Sequence, residues 1–233
     1  MDLETQALGI AALADPTRRA LYDYVVAKGE PVGREQAAQD LGLAGHNVNF
    51  HLDRLVEEGL LEVEYRRLSG KTGPGAGRPS KLYRRAAREF SVSLPPRRYD
   101  LVGEILAAAI TEAAQGGDLA AAVKHEAHDA GAKASLVEDP SPAGDSAERI
   151  SEVLGRQGFE PDVDGHTMYL RNCPFDSLAH KHAELVCGLN VDYVQGVLDG
   201  IGCSGAKACL DPAPGRCCVS VELVNGEAGS VSG

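Results

Sequence analysis

Glycines at 29, 42 and 59 cut residues 15–59 into three short amphipathic stretches, and a tip rich in Gly and Pro follows at 69–79. Segments this short are stable only by packing on one another. Asp15-Pro16 opens the first, because Asp suits an N-cap and Pro the first helical turn. Leu13, Leu21, Tyr24 and Val25 form its apolar stripe, and it ends near Gly29. A second helix is predicted over 33–40, with Ala37, Ala38 and Leu41 inward and Gly42 supplying a tight turn. A third is predicted over 45–58, stopped by Gly59. Residues 60–68 alternate as a strand, SGKTGPGAGRP makes a hairpin tip, and 80–84 reads as the returning strand.

Three helices and a basic hairpin in this order make a winged helix-turn-helix. In the third helix Val48, Leu52, Leu55 and Val56 keep core spacing, and Phe50 and His51 are read as packing residues. His46, Asn47 and Asn49 fall on the N-terminal, opposite face, where a recognition helix meets base edges. Asn pairs bidentately with adenine, and His donates or accepts. Arg54 is placed to reach a phosphate. Residues 65–88 carry eight basic side chains and no acidic one. Arg66, Lys71, Arg78 and Lys81 are expected to hold this wing on phosphates rather than read sequence. The partner is therefore a double-stranded DNA operator. ADPTRRALYDYV, LGLAGHNVNFHLDRLVEEGLL and GRPSKLY together resemble the winged-helix regulators of the broad ArsR-like class over residues 10–88. Arsenic and zinc sensors of that class often carry ligand cysteines in or beside the helix-turn-helix. None stands there in this chain, which disfavours that mode of sensing.

A net charge of −11 conflicts with DNA binding only until it is divided. Residues 1–98 balance to +2 and residues 99–233 to −13. Affinity follows the local patch that meets phosphates, so the acidic half is expected to face away from the duplex. No apolar run approaches the roughly 20 residues that span a bilayer. The first residues lack a basic leader pattern. A cytoplasmic, non-enzymatic protein with reduced thiols is expected. The absence of Trp and the few aromatic residues disfavour a binder that stacks single-stranded bases.

The fold class expected is α+β. A winged helix-turn-helix domain takes 1–92, and a linker with a candidate dimerisation helix takes 93–117. A cysteine-bearing sensor domain takes 118–225, and 226–233 is a flexible tail. Paired prolines mark the linker SLPPRR at 93–98. The helix at 101–114 is Ala-rich, with Leu101, Ile105, Leu106 and Ile110 on a stripe, and suits either a homodimer contact or packing within the chain. A further helix at 118–136 carries His125 and His128 near Glu126 and Asp129, read as a solvated face. Strands are predicted at 159–163 and 167–171, helices at 176–187 and 191–200, and a closing hairpin at 206–210 and 217–223. That order gives a small antiparallel sheet covered by helices.

All six cysteines lie in the last 61 residues: Cys173, Cys187, Cys203, Cys209, Cys217 and Cys218. The gaps in the series Cys173, Cys187, Cys203, Cys218 are 13, 15 and 14 residues. Gaps so long differ from the short C-x-x-C pairs of most structural zinc sites and bacterial ferredoxins, so any shared site must be assembled by the tertiary fold. Three readings of the cysteines compete. They hold an iron–sulfur cluster, they are inert buried thiols, or two of them hold zinc with His180 or His182. A regulator answering a small organic effector is the alternative without a cluster.

NCPF at 172–175, VC at 186–187 and GRCCV at 215–219 resemble the C-terminal domain of the SufR-type iron–sulfur repressors. The first two gaps here are slightly longer than that family's. The resemblance implies a cluster, [4Fe–4S] in type, on Cys173, Cys187, Cys203 and Cys218, which controls repression of iron–sulfur assembly genes. Between the adjacent cysteines, alternation sets Cys217 with Val219, Val221 and Leu223 on the apolar face, and Cys218 with Ser220 and Glu222. The family register also selects Cys218, leaving Cys217 as a core residue and Cys209 spare.

Overall fold

The computed structural model describes residues 3–67, 79–137 and 145–223. The hairpin tip with Lys71 and Arg78, and the expected tail at 226–233, lie outside the described residues. The chain divides into two compact units, Met1–Val92 and Ser93–Gly233.

The first unit opens with α1 (Leu3–Ala12) and α2 (Pro16–Lys28). Asp15 caps α2 by accepting the Arg18 N–H at 2.9 Å, and Gly29 closes it in the left-handed region at φ 65°. A short strand β1 (Val32–Gly33) leads into α3 (Arg34–Leu41), which Gly42 ends at φ 66°. Then come α4 (Gly45–Glu57), β2 (Leu61–Arg66) and β3 (Ser80–Arg85). The strands form an antiparallel sheet in the order β1-β3-β2, with Val63 opposite Tyr83. Leu21, Val25, Ala37, Val48, Leu52, Leu55, Leu61 and Tyr83 make one buried core. Phe50 departs from its packing role and is 64% exposed. On a helix turning about 100° per residue it stands nearly opposite the Val48–Leu52–Leu55 face.

The second unit begins with α5 (Tyr99–Ala113), α6 (Leu119–Val137) and α7 (Ser146–Arg156). Asp145 and Glu148 form a reciprocal capping box at the start of α7. The hairpin β4 (Pro161–Asp164) and β5 (Thr167–Leu170) follows, then α8 (Asp176–Lys181), α9 (Ala183–Ile201), β6 (Ala206–Leu210) and β7 (Val219–Leu223). The antiparallel sheet runs β4-β5-β7-β6. This is the expected α+β arrangement. Residues 93–117 belong to this unit, because α5 sends Val102, Ile105 and Ala109 into its core. Ile110, placed on the same stripe from sequence, is 60% exposed.

One helix boundary differs from expectation. The predicted break after residue 187 is a continuous helix, and the real break stands at His182, with φ −137° and ψ 52°. The apolar positions Val186, Leu189, Tyr193, Val194, Val197 and Ile201 keep helical spacing straight through Gly188, and all are buried. Glycine lowers helix propensity but does not by itself end a helix whose face is buried. Cys187 therefore sits inside the second turn of α9 rather than at an element end.

Helices α6 and α9 approach closely. A Cβ added at Gly131 would lie 2.0 Å from the Tyr193 carbonyl oxygen, and one at Gly196 would lie 2.0 Å from that of His128. Glycine is the residue that permits backbones to meet here.

Candidate functional site

On α4 the side chains of His46, Asn47 and Phe50 are exposed, and Asn49 is half-buried. No side chain caps the N-terminus of this helix, so its first N–H groups stay open to an acceptor such as a phosphate. Phe50 meets His51 edge to face at 5.3 Å. An exposed apolar ring beside Asn47 suits a thymine methyl group. Sequence reasoning missed it by weighing its hydrophobicity above its angle on the helix.

The basic residues stand in defined pairs. Lys81, from β3, donates to Asp53 of α4 at 2.5 Å, and the Tyr83 hydroxyl donates to the same oxygen at 2.8 Å. Asn49 donates to the other Asp53 oxygen at 3.2 Å. Asp53 thus ties the recognition helix to the wing. Arg54 pairs with Glu57 and Glu58, and Arg66 lies 3.7 Å from Glu64. Lys81, Arg54 and Arg66 therefore reach phosphate only by sharing or leaving an acid.

Burial opposes the charge of Asp53, but the bonds from Lys81, Tyr83 and Asn49 outweigh it and hold the carboxyl below its ordinary 3.8. Burial and then Asp53 push the Tyr83 hydroxyl up to about 12. A depressed carboxyl stabilises the fold fully above its unfolded value, and the effect is lost as pH falls through its folded value. Asp53→Asn is expected to flatten the fall in Tm on acidification below a pH of about 4. A fall as steep as wild type would show that Asp53 contributes nothing to it.

The second site lies in the other unit. Cys173 follows β5 in a loop, Cys187 is on α9, and Cys217 and Cys218 directly precede β7. The Cys173 thiol meets that of Cys217, Cys217 meets Cys218, and Cys218 meets Cys187. Two backbone bonds pin this array: Cys217 N donates to Leu170 O at 2.8 Å, and Asp211 N donates to Cys218 O at 2.7 Å. Cys217 is 1% exposed. Asn190, also buried and one turn beyond Cys187, donates its Nδ2 to Cys217 Sγ at 3.1 Å. Its Oδ1 is buried with no partner among the described residues. Sequence reasoning missed Asn190; an amide between Leu189 and Val191, within a run of apolar positions, was the signal.

The bond with Cys217, then burial, pushes the Cys173 thiol far up. Burial also raises Cys187, which Cys218 partly offsets. Cys173 favours the thiolate of Cys217, but Cys218 and burial outweigh it and bring Cys217 to about 11. Cys173, Cys187 and Cys217 are thus protonated at neutral pH.

Cys203 is not brought to this array. It is buried just past the far end of α9, whereas Cys187 is near its start. At about 1.5 Å of rise per residue the helix separates them by roughly 20 Å. A single site that takes in both Cys187 and Cys203, as the resemblance implies, thus does not fit within one chain. Cys209 lies on β6, a strand at the sheet edge, with its Sγ 3.8 Å from Lys207 O. His180 and His182 are exposed. Among the described residues, only Glu112, His125 and Glu126 bring three potential donors close enough for a single ion, and that group is largely exposed and contains no cysteine. The thiols are therefore not gathered as a mononuclear site would gather them.

The sequence model of a helix-turn-helix domain family matches residues 13–64. The match spans α2 to β2, with Asn47, Asn49 and Asp53 inside it. No curated protein and no solved structure matches the chain. The first unit carries a helix-turn-helix domain, and the chain is a DNA-binding transcription regulator. Among the described residues no helix is long and apolar enough to cross a membrane.

Proposed function

We propose that this regulator is a homodimeric repressor whose operator affinity follows an iron–sulfur cluster, [4Fe–4S] in type. The cluster is held by Cys173, Cys187 and the Cys217–Cys218 pair. The observation that carries this reading is the thiol array itself: cysteines from a loop, a helix and a strand start come together in the second unit, Cys173 and Cys217 buried and Cys187 and Cys218 half-buried. Thiolates are soft ligands that select iron–sulfur clusters, zinc or copper(I). The sequence resemblance to SufR-type repressors supports the same group.

The surroundings fit such an occupant. Protonated buried thiols ionise when a cation replaces their protons, so loading is coupled to proton release. The Asn190 amide donates to a sulfur, and hydrogen bonds to sulfur are among the levers that set a cluster's reduction potential. When bound, the cluster supplies a state sensitive to oxidants and to iron supply. The chain's own residues do the rest: the array holds α9, the Cys173 loop and the start of β7 in one arrangement, and operator affinity is high in that arrangement. Localisation in the cytoplasm follows from this role.

Anaerobic purification with assays for iron and acid-labile sulfide tests the reading, followed by operator binding of the loaded and stripped forms. Protein free of iron and sulfide would end it. On the DNA side, Asn47→Ala is expected to cost about 1–3 kcal/mol on the cognate operator and to relax preference at one base pair. Equal weakening on every sequence would make Asn47 a backbone contact instead. Arg66 and Lys81, with Arg78 and Lys71, are proposed as the phosphate contacts of the wing, Arg54 as that of α4, and His46 and Asn49, beside Asn47, as base contacts.

A further inference from the structure

Residues 96–98 follow the DNA-binding unit directly, and they are fastened to the loop that carries Cys173. Arg97 Nη1 donates to Asn172 Oδ1 at 2.5 Å and to the Cys173 carbonyl oxygen at 3.0 Å. Its Nη2 lies 3.7 Å from Asp176. Asn172 returns the contact: its Nδ2 donates to Pro96 O at 3.2 Å and to Gly158 O at 2.5 Å. The Arg98 N–H donates to Pro174 O at 3.0 Å. Arg98 Nη1 donates to Gln157 Oε1 at 2.8 Å, an oxygen that also accepts the hydroxyl of Tyr193 on α9.

A bare linker has no need of these bonds. Asn172 is buried and Arg97 is mostly so, and buried groups left unpaired are costly. The bonds are therefore a condition of the fold at this point. They converge on the two elements that supply Cys173 and Cys187: Arg97 holds the loop of the first, and Arg98 reaches the helix of the second through Gln157 and Tyr193. Any displacement of the Cys173 backbone must move or break the Arg97 contacts. The peptide so held is the one that leads to the helix-turn-helix.

We propose that Arg97 and Asn172 form a coupling clamp, through which the state of the Cys173 thiol sets the tether of the DNA-binding unit. This rests on the cluster reading given above. Arg97 is a positioning residue, because it touches the Cys173 backbone and not its sulfur. Two sites are coupled when a two-state element is biased by both, and the clamp is that element.

Arg97→Ala and Arg97→Lys in the full-length chain test it. Three readouts are needed: iron and sulfide content, operator affinity with and without the cluster, and hydrogen exchange of the peptide covering 93–98. Wild type is expected to show a loaded-to-stripped affinity ratio of about five-fold or more, with slower exchange of the peptide when loaded. Arg97→Ala is expected to keep wild-type iron and sulfide, while its affinity ratio falls to within about two-fold and its exchange becomes fast in both forms. Arg97→Lys keeps a donor for the Cys173 carbonyl and is expected to restore part of the ratio. An Arg97→Ala protein with the wild-type ratio overturns the clamp and leaves the cluster reading intact. Should wild type contain no iron or sulfide, the cluster reading fails by itself. The clamp is then judged on the same peptide before and after alkylation of the thiols. Exchange that alkylation changes in wild type but not in Arg97→Ala supports it, and exchange unaffected in wild type overturns it.

Discussion

Purified without oxygen, the Cys187→Ser protein is expected to be colourless, with iron and sulfide at background. Cys203→Ser and Cys209→Ser are expected to retain both. The contrast follows from placement. Cys187 lies in the array and meets Cys218, whereas Cys203 stands at the opposite end of a helix of 19 residues. At about 1.5 Å per residue the stretch of helix between them is roughly 20 Å long, too far for one cluster to bridge within a chain. The resemblance to SufR-type repressors implies the opposite for Cys203, so this one variant separates resemblance from geometry. Loss of iron in Cys203→Ser would restore Cys203 to the ligand set and require a rearranged helix or a second chain. Serine at Cys217 and Cys218 in turn then assigns the fourth sulfur. Cys217 is central to the array and receives the Asn190 amide, so its loss is expected to cost the most cluster.

Gly196→Ala is expected to destabilise the second unit by about 3 kcal/mol or more. The added Cβ would sit 2.0 Å from the His128 carbonyl oxygen, and backbone cannot rotate aside as a side chain can. Gly131→Ala meets the Tyr193 carbonyl in the same way. Gly188, on the same helix, has nothing within 4 Å of an added Cβ. Gly188→Ala is expected to stabilise by about 0.5–1 kcal/mol through helix propensity and unfolded-state entropy. Urea unfolding of the three proteins reads both effects. A Gly196→Ala midpoint equal to wild type would mean that α6 and α9 separate at little cost. It would also weaken the case that α9 is a fixed platform for Cys187 and Asn190.

The N-terminal unit was legible because its signals are local. Asp15-Pro16, Gly29, Gly42 and Gly59 mark helix ends through backbone chemistry that acts within a few residues, and the structure places the ends within one or two residues of them. The ion pair of Lys81 with Asp53 was not legible, because it joins residues 28 apart across a hairpin. In the second unit the strand and helix order could be read from alternation and period. The break at His182 could not, because the deciding factor is the buried face of α9 rather than any breaker residue. The Ala-rich stretch of α5 left both a homodimer contact and packing within the chain open. The close approach is between α6 and α9, where Gly131 and Gly196 are isolated in sequence and meaningful only once the helices cross. Cys217 was read correctly as apolar-facing, but its side of the sheet proved to be the side on which Cys173 arrives.

The order of strands in the second sheet bears on when the protein becomes able to respond. β7, the last strand among the described residues, lies between β5 and β6, and it brings in Cys217 and Cys218. During synthesis the helix-turn-helix emerges first and whole, while the thiol array waits for the insertion of a strand that follows some 130 residues later. A nascent or prematurely terminated chain that stops short of residue 217 thus holds a complete DNA-reading unit and only half of the array. If the array holds the cluster proposed above, such fragments would compete for operators without being able to report on iron.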